Sequence, residues 1–168
     1  MSFSTVRLTR EQIIEESINI LVRQALAARG YVQDGSATGW QMMDSYPYGL
    51  TELNTNLVAA GFNFDDLGKP FELGSNMKER KYTFELFVFG VDLTFAKAIA
   101  EAVKFSIEVD QAVALYNITQ TPPVQNGEWV ELDGVHSGRQ VIPTPEPWQE
   151  FVWVIRAQVT DWYDPLST

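Results

Sequence analysis

The spacing of apolar and polar positions changes period several times along the chain. In residues 10–29 it is helical: Ile14, Ile18, Leu21 and Ala25 recur at i, i+4, i+7 and i+11, flanked by Ile13, Val22 and Leu26, giving one wide apolar face. Thr9 is placed to cap this helix, with Gln12 three residues on and Leu8 facing Ile13 as a staple. Glu11, Glu15 and Glu16 lie towards its positive end, Arg23 and Arg29 towards its negative end, and Gly30 suits the residue just past the last turn.

The spacing then becomes irregular over residues 31–50, with turn clusters at residues 34–39 and 47–49. Residues 50–64 can hold an extended segment anchored by Leu53, Leu57 and Phe62, and residues 65–70 read as a loop. Residues 82–89 are aromatic and β-branched on both faces, with Phe84, Leu86 and Val88 pointing one way and Phe87 and Phe89 the other. Such a strand belongs in the middle of a sheet. Gly90, Val91 and Asp92 break it. A second helix follows, with Phe95, Ile99, Ala102 and Val103 as its buried stripe and Ala96, Ala98 and Ala100 allowing close approach to a sheet.

Residues 112–119 read as a strand ended by Pro122 and Pro123. Residues 128–132 and 140–142 flank Asp133-Gly134, which predicts a hairpin with a long turn, and Pro143, Pro145 and Pro147 stiffen the connector after it. The last strand alternates: Phe151, Trp153, Ile155, Ala157 and Val159 on one face, Glu150, Arg156, Gln158 and Thr160 on the other, with Val152 and Val154 interrupting the polar side. This alternation predicts a half-buried antiparallel strand. The expectation is a single α+β domain over residues 1–168, a mostly antiparallel sheet with two helices packed on one face, and residues 121–148 as a hairpin or arm extension.

The composition fits a packed core, with 45% hydrophobic and 12% aromatic residues. Cysteine is absent, which excludes disulfides, a thiol nucleophile and thiolate metal sites, and fits an intracellular setting for folding. The N-terminal residues lack the apolar core of a secretory signal, and no apolar run approaches the roughly 18 residues of a membrane helix. Without a signal, the glycosylation pattern at Asn117 is read as chance. Net charge is −10, and residues 105–168 hold nine carboxylates against Arg139 and Arg156. That balance argues against nucleic-acid binding, which needs basic patches to release counterions. The one basic cluster, Lys78, Arg80 and Lys81 around Glu79, reads as a solvated strand entry.

Catalytic chemistry is not apparent. His136 is the only histidine, and in the run 134–138 it stands where a nucleophile elbow needs serine, so it reads as a loop residue. Residues 61–69 have glycines too widely spaced for a phosphate loop, with Pro70 where Ser or Thr would hold magnesium. Asp65 and Asp66 lack the spacing of a calcium loop. The expectation is therefore no enzyme, no cofactor and no metal. The tryptophans Trp129, Trp148, Trp153 and Trp162 crowd the C-terminal third with Tyr163. Core packing explains most of them, but Trp129 and Trp148 fall in the expected hairpin and connector, where burial is less automatic. They are the candidate interface anchors, with Glu128, Glu131 and Arg139 as charged companions on the same segment.

The run 81–90, followed by Asp92 and the alanine-rich helix over residues 95–107, together with the N-terminal helix at residues 9–29 and the last strand at 149–162, resembles the tail terminator proteins of long-tailed bacteriophages. The resemblance implies a structural virion protein of the tail or neck, assembled in the host cytoplasm. It implies a homo-oligomer, a hexameric ring that caps the tail tube. One ring face would bind the major tail tube protein and the other the head–tail connector or stopper protein. DNA would pass through an electronegative lumen without specific binding, and no membrane is involved. Residues 31–49 and 121–148 are not explained by the resemblance. Within the same class, another head–tail connector, neck or minor capsid protein is the alternative. A small acidic ligand-binding domain or enzyme is the alternative from another class.

Overall fold

The structure, a computed structural model, describes residues 9–43, 53–63, 69–70, 76–91, 93–110, 112–139 and 152–164. Helix α1 spans Arg10–Ala28, and its ends form as the local sequence predicts. The Gln12 N–H donates to Thr9 Oγ1 at 3.3 Å, and the Thr9 N–H donates to Gln12 Oε1 at 2.9 Å, so two otherwise unpaired donors are satisfied reciprocally. At the other end Gly30 adopts φ 81°, a left-handed conformation that costs glycine nothing. This lets the Gly30 N–H reach the Ala27 carbonyl and the Tyr31 N–H reach the Leu26 carbonyl, both at 3.0 Å. Leu8, the expected staple residue, lies outside the described residues.

Among the described residues seven strands follow: β1 Trp40–Met43, β2 Asn56–Asn63, β3 Lys69–Pro70, β4 Lys78–Phe89, β5 Ala112–Asn117, β6 Val124–Arg139 and β7 Val152–Tyr163. They make one sheet of order β1-β2-β4-β7-β6-β5, with β3 beside β4. Every pairing is antiparallel except β1 with β2. Helix α2, Leu93–Asp110, crosses from β4 to β5 over β7 and β6, while α1 lies against β5 and α2. The architecture is the expected α+β one.

The core sits between the helices and one face of the sheet. Ile14, Ile18, Val22 and Leu26 of α1 and Ile99, Val103 and Ile107 of α2 meet Phe84, Leu86 and Val88 of β4 and Ile155, Ala157 and Val159 of β7. Each fully buried large side chain contributes roughly 1.5–3 kcal/mol. Strand β4 is central and apolar on both faces, as its sequence predicts. Its residues Phe87 and Phe89 join a second cluster on the opposite side of the sheet with Leu57, Ala59, Val152 and Val154. That cluster explains why Val152 and Val154 interrupt the polar face of β7. Thr160 is also on that face but is 5% exposed rather than solvated. In α2 the buried stripe is Ala96, Ile99, Ala100, Ala102, Val103 and Ile107, and the expected Phe95 is only half-buried. The helix turns an alanine towards the sheet, which allows the closer approach.

Three expectations are corrected. Residues 40–43, taken as irregular, form β1. Trp40, 1% exposed, is buried in the core, and the preceding turn is fastened by side chains. Asp34 Oδ1 accepts from the Ser36 N–H at 2.9 Å, Thr55 Oγ1 donates to the Ser36 carbonyl at 2.7 Å, and the buried Asn56 side chain donates to the Gly39 carbonyl at 2.7 Å. Asn56 Oδ1 also accepts from the Val91 N–H at 2.9 Å, tying this turn to the one between β4 and α2. Lys69 and Pro70, taken as loop, pair with Glu79 and Lys78.

The third correction concerns Asp133-Gly134. There is no hairpin turn there. Strand β6 runs straight through, pairing with β5 on one side and β7 on the other. Between Asp133 and His136 it takes three steps while β7 takes two, from Gln158 to Arg156. The glycine therefore marks a bulge, for which a strand glycine is as well suited as for a turn. His136 lies in this strand, not in a loop. The hairpin is one strand earlier, between β5 and β6. Of the expected arm over residues 121–148, residues 124–139 are built into the sheet, and 140–148 lie outside the described residues. Beyond Glu131, β6 has no β5 partner among the described residues.

Candidate interface site

The first half of β6 is the most exposed described part of the sheet. Trp129 is registered with Ala114 of β5, and the neighbouring pair is Glu131 with Ala112. Strand alternation puts Val130 and Leu132 into the core and Trp129 and Glu131 on the opposite face. The β5 neighbours Ala112 and Ala114 are small, and the Trp129 side chain stays 56% exposed, with Val124 at the start of the strand 51% exposed.

A cleft of about 120 Å³ lies where β5 and the first half of β6 meet α1, lined among others by Ser17, Leu21, Gln24, Tyr116, Gln125 and Trp129. Its floor is fixed by Ser17, which is fully buried. The Ser17 hydroxyl donates to the Ile13 carbonyl at 2.6 Å and accepts from the Tyr116 N–H at 3.1 Å. That bond lets α1 cover the outer edge of β5 at this point. At the mouth, Tyr116 OH accepts from Gln24 Nε2 at 3.3 Å and from Gln125 Nε2 at 3.2 Å.

The expected interface residues do not gather in one place. Trp129 and Glu131 share the outer face. Glu128 faces the helices instead and accepts from Arg10 Nη1 at 2.8 Å. Arg139 ends β6, registered with Trp153 at the far end of the strand from Trp129. Trp148 lies outside the described residues.

Beside the cleft is an ionic cluster that the sequence reading missed. Arg10 donates from Nε to Asp161 Oδ2 at 3.0 Å and from Nη2 to Asp161 Oδ1 at 2.8 Å, and Asp161 is fully buried. Burial disfavours the Arg10 charge, but the Asp161 and Glu128 carboxylates outweigh it and hold the guanidinium above its ordinary pKa. Tyr82, packed in the same region, has its phenol pKa pushed up by burial and by the Asp161 charge. Arg80 pairs with Glu11, one residue along the helix from Arg10. The signal was present: an arginine in the first helical turn opposes the helix dipole unless carboxylates meet it. A second, open groove runs along Gln12, Glu15, Glu16 and Arg23 to Ile118 and Pro123. There burial, then the charges of Glu16 and Glu11, push the Glu15 pKa up.

Among the described residues no three His, Asp or Glu side chains are grouped to hold a metal, and no helix is long and apolar enough to cross a membrane. No protein-family model and no curated protein matches this chain.

Proposed function

We propose that this chain is a structural virion protein, a tail terminator that assembles as a hexameric ring between the tail tube and the head connector. The observation that carries this reading is Trp129. A tryptophan 56% exposed on a strand, in a sheet whose other described aromatic residues are buried or half-buried, is the kind of residue that anchors protein–protein contacts. The order of α1, central strand β4, α2 and final strand β7 is the layout on which the sequence resemblance rests. The acidity of residues 105–168 fits a surface past which DNA slides without binding.

The rival from another class is a small-ligand site in the Trp129 cleft. Its volume of about 120 Å³ is below the roughly 300–1,000 Å³ usual for such pockets, and the open groove along α1, at about 490 Å³, is lined by Gln12, Glu15, Glu16 and Arg23 rather than mainly by the apolar walls that such pockets have. The deciding experiment is virion assembly without this protein. Tails of irregular length that fail to join heads are expected. Tails of normal, uniform length that still join heads would sink the reading. Normal tails left unjoined would move the protein to another position in the neck.

A further inference from the structure

We infer that the Trp129 cleft binds the proline-rich segment 143–147 of a second copy of this chain. The inference rests on the ring reading only for closure of the ring; the contact itself is argued from the cleft and from chain length.

The cleft has the chemistry that recognises an extended proline segment. Trp129 and Tyr116 supply aromatic surface on which proline rings pack, with Leu21 as a further apolar wall. The rim supplies donors. Each glutamine amide nitrogen carries two N–H groups, of which Gln24 and Gln125 each direct one to Tyr116 OH. Tyr116, accepting both, has its own O–H proton left to donate outward. A segment with proline at 143, 145 and 147 lacks N–H groups at those positions, cannot pair as an interior strand and favours the polyproline II conformation, whose carbonyls are all unpaired within the segment. Aromatic surface plus donors, facing rings plus free carbonyls, is how such segments are recognised.

Chain length decides which copy supplies the segment. Residues 140–151 join Arg139 to Val152, and these ends are neighbours because Arg139 is registered with Trp153. Trp129 is ten residues back along β6 from Arg139, roughly 30 Å at about 3.3 Å per residue. A twelve-residue connector fastened at adjacent points extends at most about 20 Å from them. It falls short of its own Trp129 but can meet that of a neighbour. The cleft and the strand ends that flank the segment thus lie at opposite ends of β6, which makes the contact head-to-tail, the kind that closes into rings.

The test uses two variants and their mixture, each variant checked for folding by circular dichroism and read by sedimentation equilibrium. Trp129→Ala removes the cleft wall; the triple change Pro143→Ser, Pro145→Ser, Pro147→Ser removes the segment. Wild type is expected as an oligomer and each variant alone as a 19.0 kDa monomer. The one-to-one mixture should give a heterodimer of about twice that mass and nothing larger, because a single working contact remains. An oligomer whose mass ignores both variants overturns the inference while leaving the ring reading standing. A monomeric wild type at high concentration overturns it too. Because the chain has no cysteine, Gln125→Cys with Thr144→Cys gives an independent readout. Oxidation should yield covalent dimers and higher species, whereas a disulfide formed only within one chain, or none, counts against the inference.

Discussion

Arg10 and Asp161 are 151 positions apart in sequence and are joined by two parallel hydrogen bonds, Nε to Oδ2 at 3.0 Å and Nη2 to Oδ1 at 2.8 Å, with the carboxylate fully buried. The pair clamps the first turn of α1 to the end of β7, and the third bond, to Glu128, brings in β6. A buried pair of this kind is weak evidence of net stabilisation, because both charges lose their hydration. Breaking it is another matter. Asp161→Ala leaves the guanidinium buried with only Glu128, and should cost about 3–5 kcal/mol in urea unfolding. The double change Arg10→Met with Asp161→Leu should recover most of that loss. Equal losses in the single and double variants would show that the pair stabilises the fold outright.

The acidic residues of α1 predict opposite pH dependences. Burial works to raise the Glu11 pKa, but the helix backbone and Arg80 outweigh it, and the group lies below its ordinary value. Its contribution is therefore fully present above the unfolded pKa, near 4.3, and is lost as pH falls through the lower folded value. Glu15 is shifted the other way, by burial and then by Glu16 and Glu11. The folded state holds that proton more tightly, so stability declines as pH rises from the unfolded value through the raised folded one. Glu11→Gln should lower Tm at pH 7 and lose this effect in strong acid, whereas Glu15→Gln should raise Tm at pH 7 without raising it below pH 4. Both groups are partly solvated, so each change should stay within about 1 kcal/mol. Thermal scans from pH 3 to 7 check the signs.

Gly39 has no room for a side chain. A β-carbon there would overlap Asp34 Oδ1 and stand 2.5 Å from the Val32 carbonyl. Gly39→Ala should cost about 1–3 kcal/mol, the range for overpacking. Asn56→Leu should cost a similar amount, since it strips the partners from the Gly39 carbonyl and the Val91 N–H, at about 1–3 kcal/mol for a buried polar group left unpaired. Either variant unfolding at the wild-type urea midpoint would show that this turn does not fasten β1.

Two tryptophans should respond in opposite ways. Trp40, 1% exposed, fills the core, and Trp40→Ala should cost about 3–5 kcal/mol. Trp129 is 56% exposed, so Trp129→Ala should shift folding stability by no more than about 0.5 kcal/mol in the monomer. A large loss of monomer stability at Trp129 would make it a structural residue rather than a contact.

What the sequence reveals here is what is local. Thr9, Gln12 and Gly30 mark the ends of α1 because capping involves residues a few positions apart. The double-sided strand β4 is legible because both of its faces are apolar. The bulge at Asp133 was misread as a turn because the same Asp-Gly pair serves either. The difference is the pairing of β6 with both β5 and β7, from which local chemistry carries no sign. Strand β1 was missed because its four residues include Gln41 and show no alternation. Asp161 sits where the alternation of β7 expects an apolar residue, and what makes it tolerable there, Arg10, belongs to the other end of the chain.

Strand β6 is sixteen residues long and β5 only six. Past Glu131 the longer strand therefore presents one row of backbone groups with no neighbouring strand among the described residues, the kind of border along which β-proteins grow into fibrils. The bulge after Asp133 twists the strand where that border begins, so the distortion that hid the strand from sequence reading also makes it a poor template for aggregation.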